Sequence, residues 1–85
     1  MVVAYLLLKV EPGSEQGVMQ KLMGKPGVIE AELIYGSYDI LLKLEFRTTY
    51  ELDAFIFETV RAIAGVKDTL TLMTARPRIL PEFVR

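Results

Sequence analysis

Apolar and polar positions alternate in two rhythms along this chain, one of period two and one near 3.6. Val2 to Val10 is apolar at nearly every position, the pattern of a central strand covered on both faces. Glu11-Pro12-Gly13-Ser14 breaks it, and Ser14 is placed to N-cap a short helix through Met23 whose stripe is Val18, Met19, Leu22 and Met23. Gly24 then caps that helix and Pro26 prevents its continuation. Val28 to Tyr35 alternates as a second strand, with Ile29, Ala31, Leu33 and Tyr35 opposite Glu30 and Glu32. A third strand is predicted from Tyr38 to Phe46, with Ile40, Leu42, Leu44 and Phe46 on one face and Leu41, Lys43 and Glu45 on the other. Thr48 and Glu51 have capping-box spacing, and the helix they open carries Leu52, Phe55, Ile56, Thr59, Val60 and Ile63 at helical intervals, with Phe57 off the stripe. Gly65 ends it, and Val66 to Thr74 reads as a fourth strand.

An internal correspondence organises these elements. A shift of 38 residues places Gly27-Val28 on Gly65-Val66, Val18 on Ile56, Leu22 on Val60 and Leu6 on Leu44. Each half reads strand, helix, Gly-Val, strand, so the chain predicts an α+β, ferredoxin-like βαββαβ fold. The right-handed crossover rule puts both helices on one face of a four-stranded antiparallel sheet, with the first and third strands in the middle. The helix side then takes Val2, Ala4, Leu6, Leu8, Ala31, Leu33, Ile40, Leu42 and Leu44. The open side shows Val3, Tyr5, Leu7, Leu41, Leu70 and Leu72, rimmed by Lys9, Glu30, Glu32, Lys43 and Glu45. An apolar centre inside a charged rim has the anatomy of an interface. The expectation is a homodimer built sheet against sheet, a dimeric α+β barrel with two-fold symmetry.

Length and composition sharpen this. Eighty-five residues allow one domain near the lower size limit, where oligomerisation adds needed burial, and 52% of the residues are hydrophobic. We divide the chain into a domain over 1–75 and a tail over 76–85, whose Ile79, Leu80, Phe83 and Val84 pack either on the chain's own body or on a neighbour. Ten basic and eleven acidic residues give a net charge of −1, no footprint for direct nucleic-acid binding. The chain has no Cys and no His, hence no thiolate nucleophile, imidazole base or common soft metal ligand. No apolar run is long enough for a membrane span and the N-terminus lacks signal-peptide character, so a cytoplasmic location without membrane partners is expected. Gln16 and Gln20 are the only amide side chains, a weak thermophilic signature.

Candidate chemistry is sparse. There is no Walker A pattern, no dinucleotide-binding glycine motif and no nucleophile–base pair; no catalytic residue, metal site or cofactor is expected. Glu30 and Glu32 fit a solvated rim, and Met19, Met23 and Met73 fit gaps in a core. Gly36-Ser37-Tyr38-Asp39 is either a plain hairpin turn or a ligand loop offering backbone amides and a carboxylate. Thr69 and Thr71 are either β-branched strand residues or hydroxyls for a small polar ligand.

Pro-Gly-Val at 26–28, Gly-Ser-Tyr-Asp at 36–39, Gly-Val at 65–66 and Thr-x-Thr at 69–71, in register on a βαββαβ chain, resemble one effector domain. It is the ligand-binding and oligomerisation (RAM) domain of the Lrp/AsnC regulators, and the resemblance covers roughly residues 1–75. With Met1 leading directly into the first strand, the expected form is a stand-alone version lacking the helix-turn-helix domain. The resemblance implies sheet-to-sheet dimers that assemble further into tetramers or octamers. It also implies a free amino acid or related metabolite bound between subunits, and pairing with full-length regulators. On this likeness, Gly36 lets the loop approach the ligand, Tyr38 walls the pocket and Asp39 holds the ligand's ammonium, with Thr69 and Thr71 nearby. Cofactor-free dimeric α+β-barrel monooxygenases and ACT-type amino-acid sensors share the fold and are the alternatives.

Overall fold

The computed structural model describes residues 1–75. Strands β1 (Val2–Val10), β2 (Val28–Leu33), β3 (Ile40–Phe46) and β4 (Val66–Met73) form one sheet in the order β2-β3-β1-β4, every pair antiparallel. Helix α1 (Glu15–Leu22) links β1 to β2, and α2, made of Thr49–Ala54 and the π-helical continuation Phe55–Val60, links β3 to β4. The architecture is the ferredoxin-like βαββαβ fold expected, with β1 and β3 central. The tail expected over 76–85 lies outside the described residues.

Strand alternation sets the faces as the pattern predicts. Ala4, Leu6, Leu8, Ile40, Leu42 and Leu44 are all fully buried beneath Val18 and Leu22 of α1 and Leu52, Phe55, Ile56 and Val60 of α2. Each such leucine or isoleucine contributes about 1.5–3 kcal/mol by leaving water. Across the open face the rungs read Glu32–Leu41–Leu7–Leu70 and Glu30–Lys43–Tyr5–Leu72. Leu70 and Leu72, on the outer strand, are 41% and 52% exposed, and Val3, Tyr5, Leu7 and Leu41 are half-buried.

The repeat holds, but not at one spacing. At the Gly-Val steps, Val28 pairs with Leu44 and Val66 with Val10, while the Gly27 and Gly65 carbonyls accept the N–H of Glu45 and Glu11, both at 2.8 Å. Strand ends and helix starts therefore correspond at a shift of 34 (Val10 with Leu44, Ser14 with Thr48), and the Gly-Val steps at 38. The difference of four residues sits in the helices. Helix α1 has eight residues; α2 has six α-helical residues, Thr49–Ala54, continued by six in a π-helical stretch, Phe55–Val60. Both shifts are even, so the expected faces survive the correction.

Local departures have local causes. β2 stops at Leu33 and β3 starts at Ile40, leaving Ile34 to Asp39 as a longer connection than the turn expected. Ile29 is not on the Ala31–Leu33 face: the β2–β3 register slips between Val28 and Glu30, so Ile29 is the extra residue of a bulge and lines the open-face groove. Ser14 takes α-helical dihedrals and its hydroxyl makes no cap, whereas Thr48 is extended and its Oγ1 accepts from Glu51 N at 3.1 Å. Glu51 Oε1 accepts from Arg47 N at 3.2 Å, one residue earlier than in the standard capping box. Met23 and Met73 are half-exposed and not core filler; Met19 packs against the core.

Candidate functional site

The connection from β2 to β3 is pinned to the end of β1. Gly36 takes φ +115°, a conformation L side chains rarely adopt, and turns the chain back. The Asp39 carbonyl accepts from Ile34 N at 2.9 Å, closing the loop at its base. Asp39 N–H donates to the Leu8 carbonyl at 2.8 Å, and Asp39 Oδ2 accepts from Val10 N at 2.9 Å. Lys9 Nζ donates to the Ser37 carbonyl at 3.1 Å. Asp39 is thus held twice by β1: its backbone N–H bonds the Leu8 carbonyl while its side chain satisfies the Val10 amide.

That amide needs a partner because it faces the β3 side of β1, where pairing ends at Leu8 and Ile40; on the other side, β1 and β4 fall out of register at the same point. Lys9 pairs with Asp68 but Val10 pairs with Val66, which makes Lys67 an extra residue on β4. Leu8 sits between Ile40 on one side and Thr69 on the other. Asp39 and Thr69 therefore flank β1 at the same end of the sheet, about 10 Å apart from two inter-strand spacings. Thr71 is two rungs further in, opposite Leu6. Thr69 and Thr71 lie on the helix side as expected, yet Thr69 is half-buried and Thr71 exposed, so the helices do not cover the outer strand. Asp68 Oδ1 accepts from Thr69 N at 2.9 Å.

A cleft of about 320 Å³ opens beside the loop, lined by Glu15, Leu33, Ile34, Tyr35 and Asp39. Of the residues singled out in the sequence, only Asp39 lines it; Gly36 and Tyr38 shape the loop beside it, and Thr69 and Thr71 stand across β1. Glu15 was not foreseen, because it reaches the cleft from the first turn of α1 and no spacing along the chain announces that. The alternation puts Tyr35 on the face of Ala31 and Leu33, but it lies beyond the end of β2 and is fully exposed. The cleft pairs an apolar wall with two carboxylates, suited to a small ligand that carries a cationic group.

A larger groove of about 770 Å³ crosses the far end of the open face, where Val3, Tyr5, Ile29, Lys43, Glu45 and Met73 line it. Among the described residues no group of three or more His, Cys, Asp or Glu side chains could hold a metal ion, and no helix is long and apolar enough to cross a membrane.

Comparison with known proteins places this geometry. The family model of the Lrp/AsnC ligand-binding domain matches residues 3–78. The HTH-type transcriptional regulator FL11 of Pyrococcus furiosus is 31% identical over 75 residues, covering 88% of this chain and 49% of that protein. The chain thus spans about half the length of such regulators. The solved structure of FFRP-DM1 is 39% identical with a TM-score of 0.84, covering 87% of this chain and 99% of that one. A homocitrate synthase of Sulfurisphaera tokodaii matches over 59 residues at 42% identity, 69% of this chain but only 13% of the enzyme. On the match of the family model across nearly its whole length, the chain belongs to the Lrp/AsnC ligand-binding domain family, a family of regulatory domains.

Proposed function

We propose that this chain is an effector-sensing and oligomerisation module that acts on transcription indirectly and is not itself an enzyme. Two copies pack sheet against sheet through Val3, Tyr5, Leu7, Leu41, Leu70 and Leu72. The observation that carries this is the unshielded apolar centre of the open face, with Leu70 and Leu72 exposed beside a charged rim. Dimers assemble further, up to octamers, and mix with full-length regulators of the family.

A free amino acid or related metabolite is the effector, held where the Gly36–Asp39 loop meets a neighbouring subunit. The loop's pinned backbone and the adjoining cleft support this, as does the exposed helix-side face of β4, which leaves Thr71 open to a second copy. In this arrangement Gly36 keeps the loop backbone close to the ligand and Tyr38 forms part of the wall. Asp39 faces the ligand's ammonium with the oxygen not used by Val10, and Thr69 and Thr71 contribute hydroxyls. The match inside a homocitrate synthase fits a domain that adds effector response to whatever chain carries it.

Calorimetry against the twenty amino acids, paired with sedimentation, tests both parts. Heat with at least one amino acid and a ligand-dependent change in assembly are expected. No heat and unchanged sedimentation would leave oligomerisation alone.

A further inference from the structure

From the hydrogen bonds around Asp39 we infer that this residue is a positioning residue that couples the Gly36–Asp39 loop to the oligomerisation face of the sheet. Its carboxylate accepts the N–H of Val10 from the β3 side of β1, at the residue where β1 and β4 change register on the other side. Asp39 N–H to the Leu8 carbonyl and Val10 N to Asp39 Oδ2, at 2.8 and 2.9 Å, bracket Lys9 from both sides. Lys9 in turn pairs with Asp68 and reaches back to the Ser37 carbonyl. A loop shift that moves Asp39 therefore pulls on the bulge. The bulge fixes how Asp68, Leu70 and Leu72 of β4 lie beside Leu7 and Tyr5 of β1 on the open face. Resting on the effector role proposed above, ligand at the loop acts on dimerisation through this latch; the latch depends on the position of an acceptor oxygen, while the charge of Asp39 serves the ligand.

Two conservative variants of the full chain separate position from charge. Asp39→Asn keeps an acceptor at the same reach without the charge. Asp39→Glu keeps the charge but moves the oxygens out by one methylene. The measurements are amide hydrogen exchange at Val10 and the dimer dissociation constant by sedimentation, each with and without the pooled amino acids. Without ligand, Asp39→Asn is expected to hold both within about twofold of the parent; with the pooled amino acids its dimer should no longer respond, because the charge that faces the ammonium is gone. Asp39→Glu is expected to exchange Val10 about tenfold faster, the loss of one hydrogen bond. It should also weaken the dimer by about 5- to 150-fold, the usual range of a coupling between sites. The opposite order, or equal weakening by both, overturns the inference, as does fast exchange at Val10 with an unchanged dimer. If the pooled amino acids leave the parent dimer unchanged, the effector role fails, while the order of the two variants without ligand still decides whether the latch acts on the sheet.

Discussion

Ile29 and Lys67 occupy the same place in the two halves of the chain. Each follows a Gly-Val step, each is the residue left over where an outer strand slips register against its central partner, and they stand 38 positions apart. The bulge is thus part of the repeat. It gives both outer strands a kink at the same end of each unit. In the first half it turns an isoleucine onto the open face; in the second it falls at Val10, whose N–H the Asp39 carboxylate accepts from the other side of β1.

Gly27 should be far less replaceable than Gly13. Both have positive φ, +94° and +88°, but a Cβ on Gly27 would enter the Phe46 ring, while one on Gly13 would meet no atom within 4 Å. Gly27→Ala is expected to cost about 2–4 kcal/mol, conformational strain plus overpacking, against about 1–2 kcal/mol for Gly13→Ala. Urea denaturation of the two variants gives the comparison, and equal losses would contradict the packing described.

The two helix starts should respond differently to loss of their hydroxyls. Thr48→Ala removes the acceptor for Glu51 N and is expected to lower stability by about 1 kcal/mol. Ser14→Ala removes no cap and should stay within about 0.5 kcal/mol of the parent in thermal unfolding.

Leu70→Asp and Leu6→Ala should separate assembly from folding. Leu70 is exposed on the open face, so the charge leaves the fold's circular dichroism intact and shifts sedimentation to the monomer. Leu6 is fully buried, and its truncation should cost about 2–5 kcal/mol of unfolding free energy. A Leu70→Asp protein that still sediments as the parent does would remove the open face from the interface.

Much of the architecture was legible because period-two alternation survives the change of shift between the two halves. Leu6, Leu8, Ile40 and Leu42 fell on the right face although the half-to-half shift of the strands is 34 and not 38. The bulge at Ile29 was not legible, since a bulge is a relation between two strands and alternation within one cannot show it. The π-helical stretch of α2 was hidden for a similar reason: Phe55, Ile56 and Val60 are buried in it and equally fit an α-helical stripe. Ser14 misled because a capping side chain reaches the first-turn amides from extended dihedrals, and Ser14 has helical ones. At the candidate site, Gly36 and Asp39 could be found from their turn chemistry. Glu15 and Tyr35 could not, because the cleft forms only when the hairpin folds over the first turn of α1.

Native mass spectrometry of the full chain, with and without pooled amino acids, tests the central claim most directly. A dimer or a larger even assembly without ligand is predicted, gaining on addition the mass of one amino acid per subunit or a change in assembly size. A monomer that takes up no amino acid at any concentration tried would contradict it.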